Sequence, residues 1–223
     1  MYDVKKSLHA VLDTLPSGVR LVAISKFHPA EYIEAAYAEG QRIFGESHEQ
    51  ELRVKHEQLP KDIEWHFIGH LQTNKVKYIA PYVSMIEAID SLKLLQEINR
   101  QAERCGRVIQ VLLELHIAEE ATKYGLTLDA CRELLEGGEW RSMTHVQICG
   151  LMMMASFVDD QEQIRREMQT AADFFDEVKM KYFVNDDAFC ERSWGMSDDY
   201  RIACETRSTM VRIGTAIFGP RIY

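Results

Sequence analysis

Residues 108–117 read Val-Ile-Gln-Val-Leu-Leu-Glu-Leu-His-Ile, with amphipathic helical stretches at Ser91–Arg104 on one side and Leu128–Glu136 on the other. A near-continuous apolar run of this length reads as a strand covered on both faces, as in a parallel sheet. Parallel neighbours require a crossover, and the crossover is usually a helix. Working outward, the same alternation continues to both ends of the chain. Towards the N-terminus stand Arg20–Lys26 (RLVAISK), Arg42–Glu46 (RIFGE), Glu64–Gly69 (EWHFIG) and Met85–Ile89 (MIEAI). Towards the C-terminus stand Val146–Met152 (VQICGLM), the weaker Ala188–Ser193 (AFCERS) and Met210–Ile213 (MVRI). Helical stretches at Pro29–Ala38, Ser47–Gln58 and Asp159–Lys181 lie between strands, and a further helix near Lys5–Leu15 precedes the first of them. Pro29 suits a first helical turn, whereas Ser91 and Thr127 suit N-caps.

Strands and helices in this order predict an α/β fold, a single-domain (β/α)8 TIM barrel over residues 1–223 with an extra N-terminal helix. An open doubly wound sheet is the alternative, but no Gly-rich dinucleotide fingerprint follows the first strand. The 223 residues suit one such domain, and 46% hydrophobic content is that of an ordinary globular chain. A net charge of −9 argues against nucleic acid, which is bound through clustered Lys and Arg. The five cysteines are odd in number and include no Cys-x-x-Cys pair, so they read as reduced thiols of a cytoplasmic protein. No apolar stretch is long enough to serve as a signal-peptide core or a membrane span, so no membrane association is expected. A monomer is expected, because a closed barrel leaves no sheet edge to pair.

In such a barrel, function gathers at the C-terminal strand ends. Lys26 ends the first strand on the same face as Val22 and Ile24. Among apolar neighbours its amine loses hydration, which lowers its pKa and suits it to Schiff-base formation; alternatively it snorkels to solvent. The last strand runs through Arg212 into Gly214-Thr215-Ala216, where backbone N–H groups and the Thr215 hydroxyl suit a phosphate. The preceding loop, Ser193-Trp194-Gly195-Met196-Ser197-Asp198-Asp199, offers Ser197 as a cap and donor at a helix N-terminus. Each motif by itself is also ordinary turn chemistry. His66 and His70 straddle a strand end with no third ligand in view, so no metal site is expected. Met152-Met153-Met154 reads as core filling, and Asp159–Lys181 as a solvated outer helix.

Lysine, arginine and two phosphate-binding loops together suit pyridoxal 5′-phosphate (PLP). The stretches Leu21–Lys26 (LVAISK), Phe44-Gly45-Glu46, Trp65–Lys75 (WHFIGHLQTNK), Gly195–Asp199 (GMSDD) and Ser208–Gly219 (STMVRIGTAIFG) span nearly the whole chain. In that order they resemble the pyridoxal phosphate homeostasis protein family, a single-domain relative of the alanine racemase N-terminal barrel. The resemblance implies that Lys26 forms the Schiff base with PLP and that Ser197, Gly214 and Thr215 hold its phosphate, with Ser193 and the Met196 backbone nearby. It further implies that Arg212 faces the pyridine nitrogen and that His66 lies close to the pocket. Where the family commonly has Asn after Phe-Gly-Glu, near the cofactor, this chain has Ser47 followed by His48, and Trp194 replaces a smaller residue.

An arginine stays protonated, so Arg212 would leave the pyridine nitrogen unprotonated and weaken the ring as an electron sink. Racemisation from both faces needs a second acid/base, which in alanine racemase comes from a C-terminal β domain. The chain ends at Tyr223, directly after the last barrel segment, so the expectation is a PLP-binding homeostasis protein with apo PLP-dependent enzymes as candidate recipients. A PLP-dependent amino-acid racemase or related enzyme is the alternative, and a Schiff-base sugar-phosphate aldolase the third.

Overall fold

The strands are β1 (Arg20–Ile24), β2 (Ile43–Glu46), β3 (Glu64–Phe67), β4 (Met85–Ile89), β5 (Ile109–Leu115), β6 (Val146–Met153), β7 (Glu191–Ser193) and β8 (Met210–Ile213). They pair in parallel in sequence order, and β8 returns to β1, with Val22 opposite Arg212, so the sheet closes as expected. The computed structural model describes residues 2–117 and 124–220; Tyr223 lies outside them.

Period-two alternation divides each strand between two cores. Val22, Ile24, Met85, Leu112, Cys149, Met152 and Met210 fill the barrel interior. Leu21, Ala23, Phe44, Trp65, Phe67, Leu113 and Val211 face outward onto the helices. Those helices are α1 (Val4–Leu12), α2 (Ala30–Ala38), α3 (Glu49–Gln58), α4 (Val76–Ile79), α5 (Leu92–Arg104), α6 (Leu128–Gly137), α7 (Gln161–Tyr182), α8 (Tyr200–Glu205) and α9 (Thr215–Phe218). Ser91 and Thr127 cap α5 and α6, accepting from the amides of Leu94 at 3.3 Å and Ala130 at 3.1 Å. α1 is the extra N-terminal helix, and it packs on α9 and α2.

Three expectations need correction. Pro29 is the N-cap of α2 in extended backbone, not part of its first turn. The weak strand at 188–193 shortens to β7, because Asp186 draws the Ala188 and Phe189 amides into a turn. α7 is solvated on one side only: Ile164, Met168, Ala171, Phe174, Phe175 and Val178 bury a full stripe, as an outer-ring helix must to cover the sheet.

Candidate functional site

A cavity of about 670 Å³ opens where the strands end. Lys26 reaches it from the turn after β1, Ser47 from the end of β2, Met196 and Ser197 from the turn after β7, Arg212 from β8, and Gly214 and Thr215 from the turn beyond. Seven of the nine residues singled out in the sequence thus meet at one site. His66 and Ser193 do not line it. Both are buried in the barrel interior beneath it.

At one side of the cavity the β8–α9 turn presents backbone. The first turn of a helix leaves its leading N–H groups without intrahelical acceptors, which suits an anion. A Cβ on Gly214 would stand 3.1 Å from the Ile24 carbonyl and 3.3 Å from its Cβ, so a side chain there would press the turn a few tenths of an ångström away from β1. The facing turn needs glycine for a different reason: Gly195 has φ +93°, and a Cβ there would strike the Ala203 side chain. Ser197 does not cap α8, whose N-cap is Asp199. Its Oγ instead accepts from the Ala216 amide at 3.4 Å, tying the two turns together. The Met196 N–H, expected near the phosphate, donates to the Asp199 carboxylate and is therefore spent. Thr215 is exposed and lines the cavity.

The floor is a buried polar network. Arg212 donates through Nη1 to the Ser193 carbonyl and hydroxyl, each at 2.7 Å, and through Nη2 to the Met153 carbonyl at 2.8 Å. Ser193 Oγ donates to Glu87 Oε2 at 2.6 Å, and His66 Nδ1 meets Glu87 Oε1 at 2.7 Å. Burial pushes the Glu87 carboxyl up, but the His66 hydrogen bond, the His66 and Arg212 charges and the Ser193 hydroxyl outweigh it and hold it below 4.5. An ionised carboxylate only accepts, so the His66–Glu87 proton resides on Nδ1. Burial pulls the Arg212 guanidinium down from 12.5 against the opposing charges of Glu87, Asp199 and Glu114. It remains a cation, as arginine does. His66 and Ser193 therefore orient the arginine from below and do not themselves line the ligand space.

Glu114 on β5 completes the wall. It is 3% exposed, and its Oε2 has no hydrogen-bond partner among the described residues. Burial raises its carboxyl from 4.5 to about 7, only partly offset by Arg212. An acid raised on folding binds more protons in the native state than in the unfolded one between those two values, so its contribution falls as pH rises through that window. The ligand-free Glu114→Gln variant is accordingly expected to gain stability over the parent as pH rises from 4.5 to about 7, by up to about 1.4 kcal/mol per pH unit. Urea unfolding at pH 5 and pH 8 measures this, and a pH-independent difference would refute it.

MIEAI and VLLEL read as apolar strands, which hides Glu87 and Glu114 as site residues. The signal was present. Glu87 follows Met85 and Glu114 follows Leu112 by two residues, which places each carboxylate inside the barrel, where it requires a partner or a ligand. Two other departures are placed. Ser47 Oγ bonds His48 Nδ1 at 3.1 Å at the cavity wall, and Trp194 is fully buried and lines no part of the cavity. His66 pairs with Glu87 and His70 with Asp90. Among the described residues no three His, Cys, Asp or Glu side chains are grouped to hold a metal ion.

Fold and site define a class: (β/α)8 barrels that gather an amine, a buried guanidinium and an anion-binding turn at their strand ends. The family model of the alanine racemase N-terminal domain matches residues 4–221. The pyridoxal phosphate homeostasis protein of Aquifex aeolicus is 37% identical over 92% of this chain and 88% of its own, and that of Vibrio alginolyticus 38% over 93% and 89%. The human protein of that name is 36% identical over 92% of this chain and 77% of its own. PipY of Synechococcus elongatus, solved with PLP bound, superposes with a TM-score of 0.88 at 31% identity over 97% of this chain and 100% of its own. Alanine racemase of Clostridium difficile shares the fold, with a TM-score of 0.73 at 14% identity, and this chain covers 56% of it. The chain belongs to the pyridoxal phosphate homeostasis protein family, within the alanine racemase N-terminal domain group.

Proposed function

We propose that this chain binds PLP and serves in its homeostasis, with Lys26 as the point of attachment. The observation that carries the reading is the convergence of Lys26, Arg212 and the Ser197 and Gly214-Thr215 turns on one cavity. These residues fit a phosphorylated aromatic aldehyde: a turn with little room for a Cβ, two hydroxyl-bearing residues lining the cavity and a buried cation in the floor. Bound there, PLP supplies an aldehyde that condenses with a primary amine, releasing water.

The chain's own residues divide the remaining work. Lys26 Nζ provides the amine. The amides of Gly214 and Thr215 and the hydroxyls of Thr215 and Ser197 hold the phosphate. Arg212 has three of its five N–H groups committed to Ser193 and Met153, which leaves it donors that would face the ring nitrogen and, as a cation, would keep that nitrogen unprotonated. Ser47, at the cavity wall, would stand where the family has the longer amide, with its Oγ bonded to His48 Nδ1. A monomer in the cytoplasm, passing PLP to apo-enzymes, is the setting this reading implies.

Purified protein should carry stoichiometric PLP and turn over no amino acid in a broad panel; robust racemisation would overturn the homeostasis reading. Thr215→Ala and Ser197→Ala each remove a charge-assisted hydrogen bond of about 1.5–3 kcal/mol, so PLP binding should weaken by about ten- to a hundredfold. Titration of the ligand-free variants measures it, and unchanged affinity in both would displace the phosphate site.

A further inference from the structure

We propose that α3 and the end of β2 position the attachment lysine: Glu46, Glu51 and Lys55 form a bracket that grips the backbone on both sides of Lys26. The proposal rests on Lys26 being the attachment point. Before it, Ser25 is held twice: its carbonyl accepts from Lys55 Nζ at 2.7 Å, and its hydroxyl donates to Glu46 Oε1 at 2.6 Å. After it, the Phe27 amide donates to Glu51 Oε1 at 2.7 Å. Lys55 Nζ joins the two sides, donating to Glu46 Oε1 at 2.8 Å and Glu51 Oε1 at 2.7 Å. Its three donors therefore have three acceptors.

Packing alone does not call for this arrangement. Glu46 is fully buried and Lys55 is 5% exposed, and a buried ion pair is often replaceable by apolar side chains without loss of stability. Apolar residues would fill the same space, but they could not hold the Ser25 carbonyl, the Ser25 hydroxyl and the Phe27 amide. Phe27 also has φ +64°, a left-handed backbone that residues with side chains keep only where their surroundings impose it. The turn carrying Lys26 is thus set by directed bonds from α3 and the end of β2. None of the three residues lines the cavity, so they act through Lys26 and not on the ligand.

Glu51 is half-buried at the edge of the bracket, which makes it the position to test. Glu51→Ala is expected to fold, to bind PLP about tenfold more weakly, and to lose much of the visible circular dichroism per bound PLP as the attachment turn loosens. Glu51→Gln should restore both, because its amide oxygen still accepts from the Phe27 N–H. The double variant Glu46→Leu/Lys55→Met removes the fully buried pair together, leaving Glu51 only its bond to the Phe27 amide, and should show the same losses. Parent-like affinity and dichroism in either folded variant would overturn the proposal. So would unfolding of both, which would make the cluster a stability element. Absence of borohydride-fixed PLP on Lys26 in the parent protein would instead sink the attachment reading on which the proposal stands.

Discussion

Lys26→Ala is expected to abolish borohydride-fixable PLP and to lower PLP affinity by about a hundredfold or more. Lys26 supplies the amine among the described residues that line the cavity. Lys55, the nearest candidate behind the turn, has its donors committed to three acceptors, and Lys75 is paired with Glu49 at 2.9 Å. Neither can substitute without dismantling its own contacts. Weak binding should persist through the Ser197 and Gly214-Thr215 contacts and be competed away by inorganic phosphate. Peptide mapping after reduction decides the matter: PLP fixed undiminished on another lysine in the variant would reassign the site.

Arg212→Leu should have the largest effect on the ligand-free fold, a loss of about 3–5 kcal/mol, because truncating one member of a buried charged network leaves the others uncompensated. The Ser193 and Met153 carbonyls lose their donors, and Glu87 loses the cation that helps hold its carboxyl below 4.5. A carboxyl depressed on folding stabilises the native state above its unfolded value, and that contribution disappears as pH falls through the folded one. The deficit of Arg212→Leu should therefore be widest near neutrality and narrow below pH 4.5, where Glu87 takes up a proton. Arg212→Lys keeps the charge but not the fork that spans Ser193 and Met153, so it should recover only part of the loss. Urea unfolding across pH tests this, and a neutral-pH deficit under about 1 kcal/mol for Arg212→Leu would show that the network carries little of the fold.

Much of the site was legible in the chain because each of its pieces is a short local segment, although those segments lie far apart in sequence. LVAISK places its lysine at a strand end by period two, and RIGTA places an arginine and a glycine turn one step apart. What those segments could not reveal is where their hydrogen bonds go. The sequence suits Ser197 to a helix cap, yet it bonds the Ala216 amide of the adjoining turn, and the Met196 amide is taken by Asp199. His66 and Ser193, expected near the cofactor, lie beneath the cavity, where both bond Glu87 and Ser193 also accepts from Arg212. The bracket around Lys26 depends on α3, whose Glu51 and Lys55 look in the sequence like an ordinary solvated i, i+4 pair.

The sequence by itself determined the alternation of buried strands with amphipathic helices, and with it the barrel, the strand ends at which function gathers and the lysine, arginine and small-residue turns placed there. These follow from local periodicity, which the chain displays without folding. Only the tertiary structure decided that Glu46 and Lys55 are buried, and which partners Glu46, Glu87, Glu114 and Lys55 meet. The reason is that closing the sheet sets residues from distant strands face to face in a low-dielectric interior, where a charged group must be paired, hydrogen-bonded or raised in pKa.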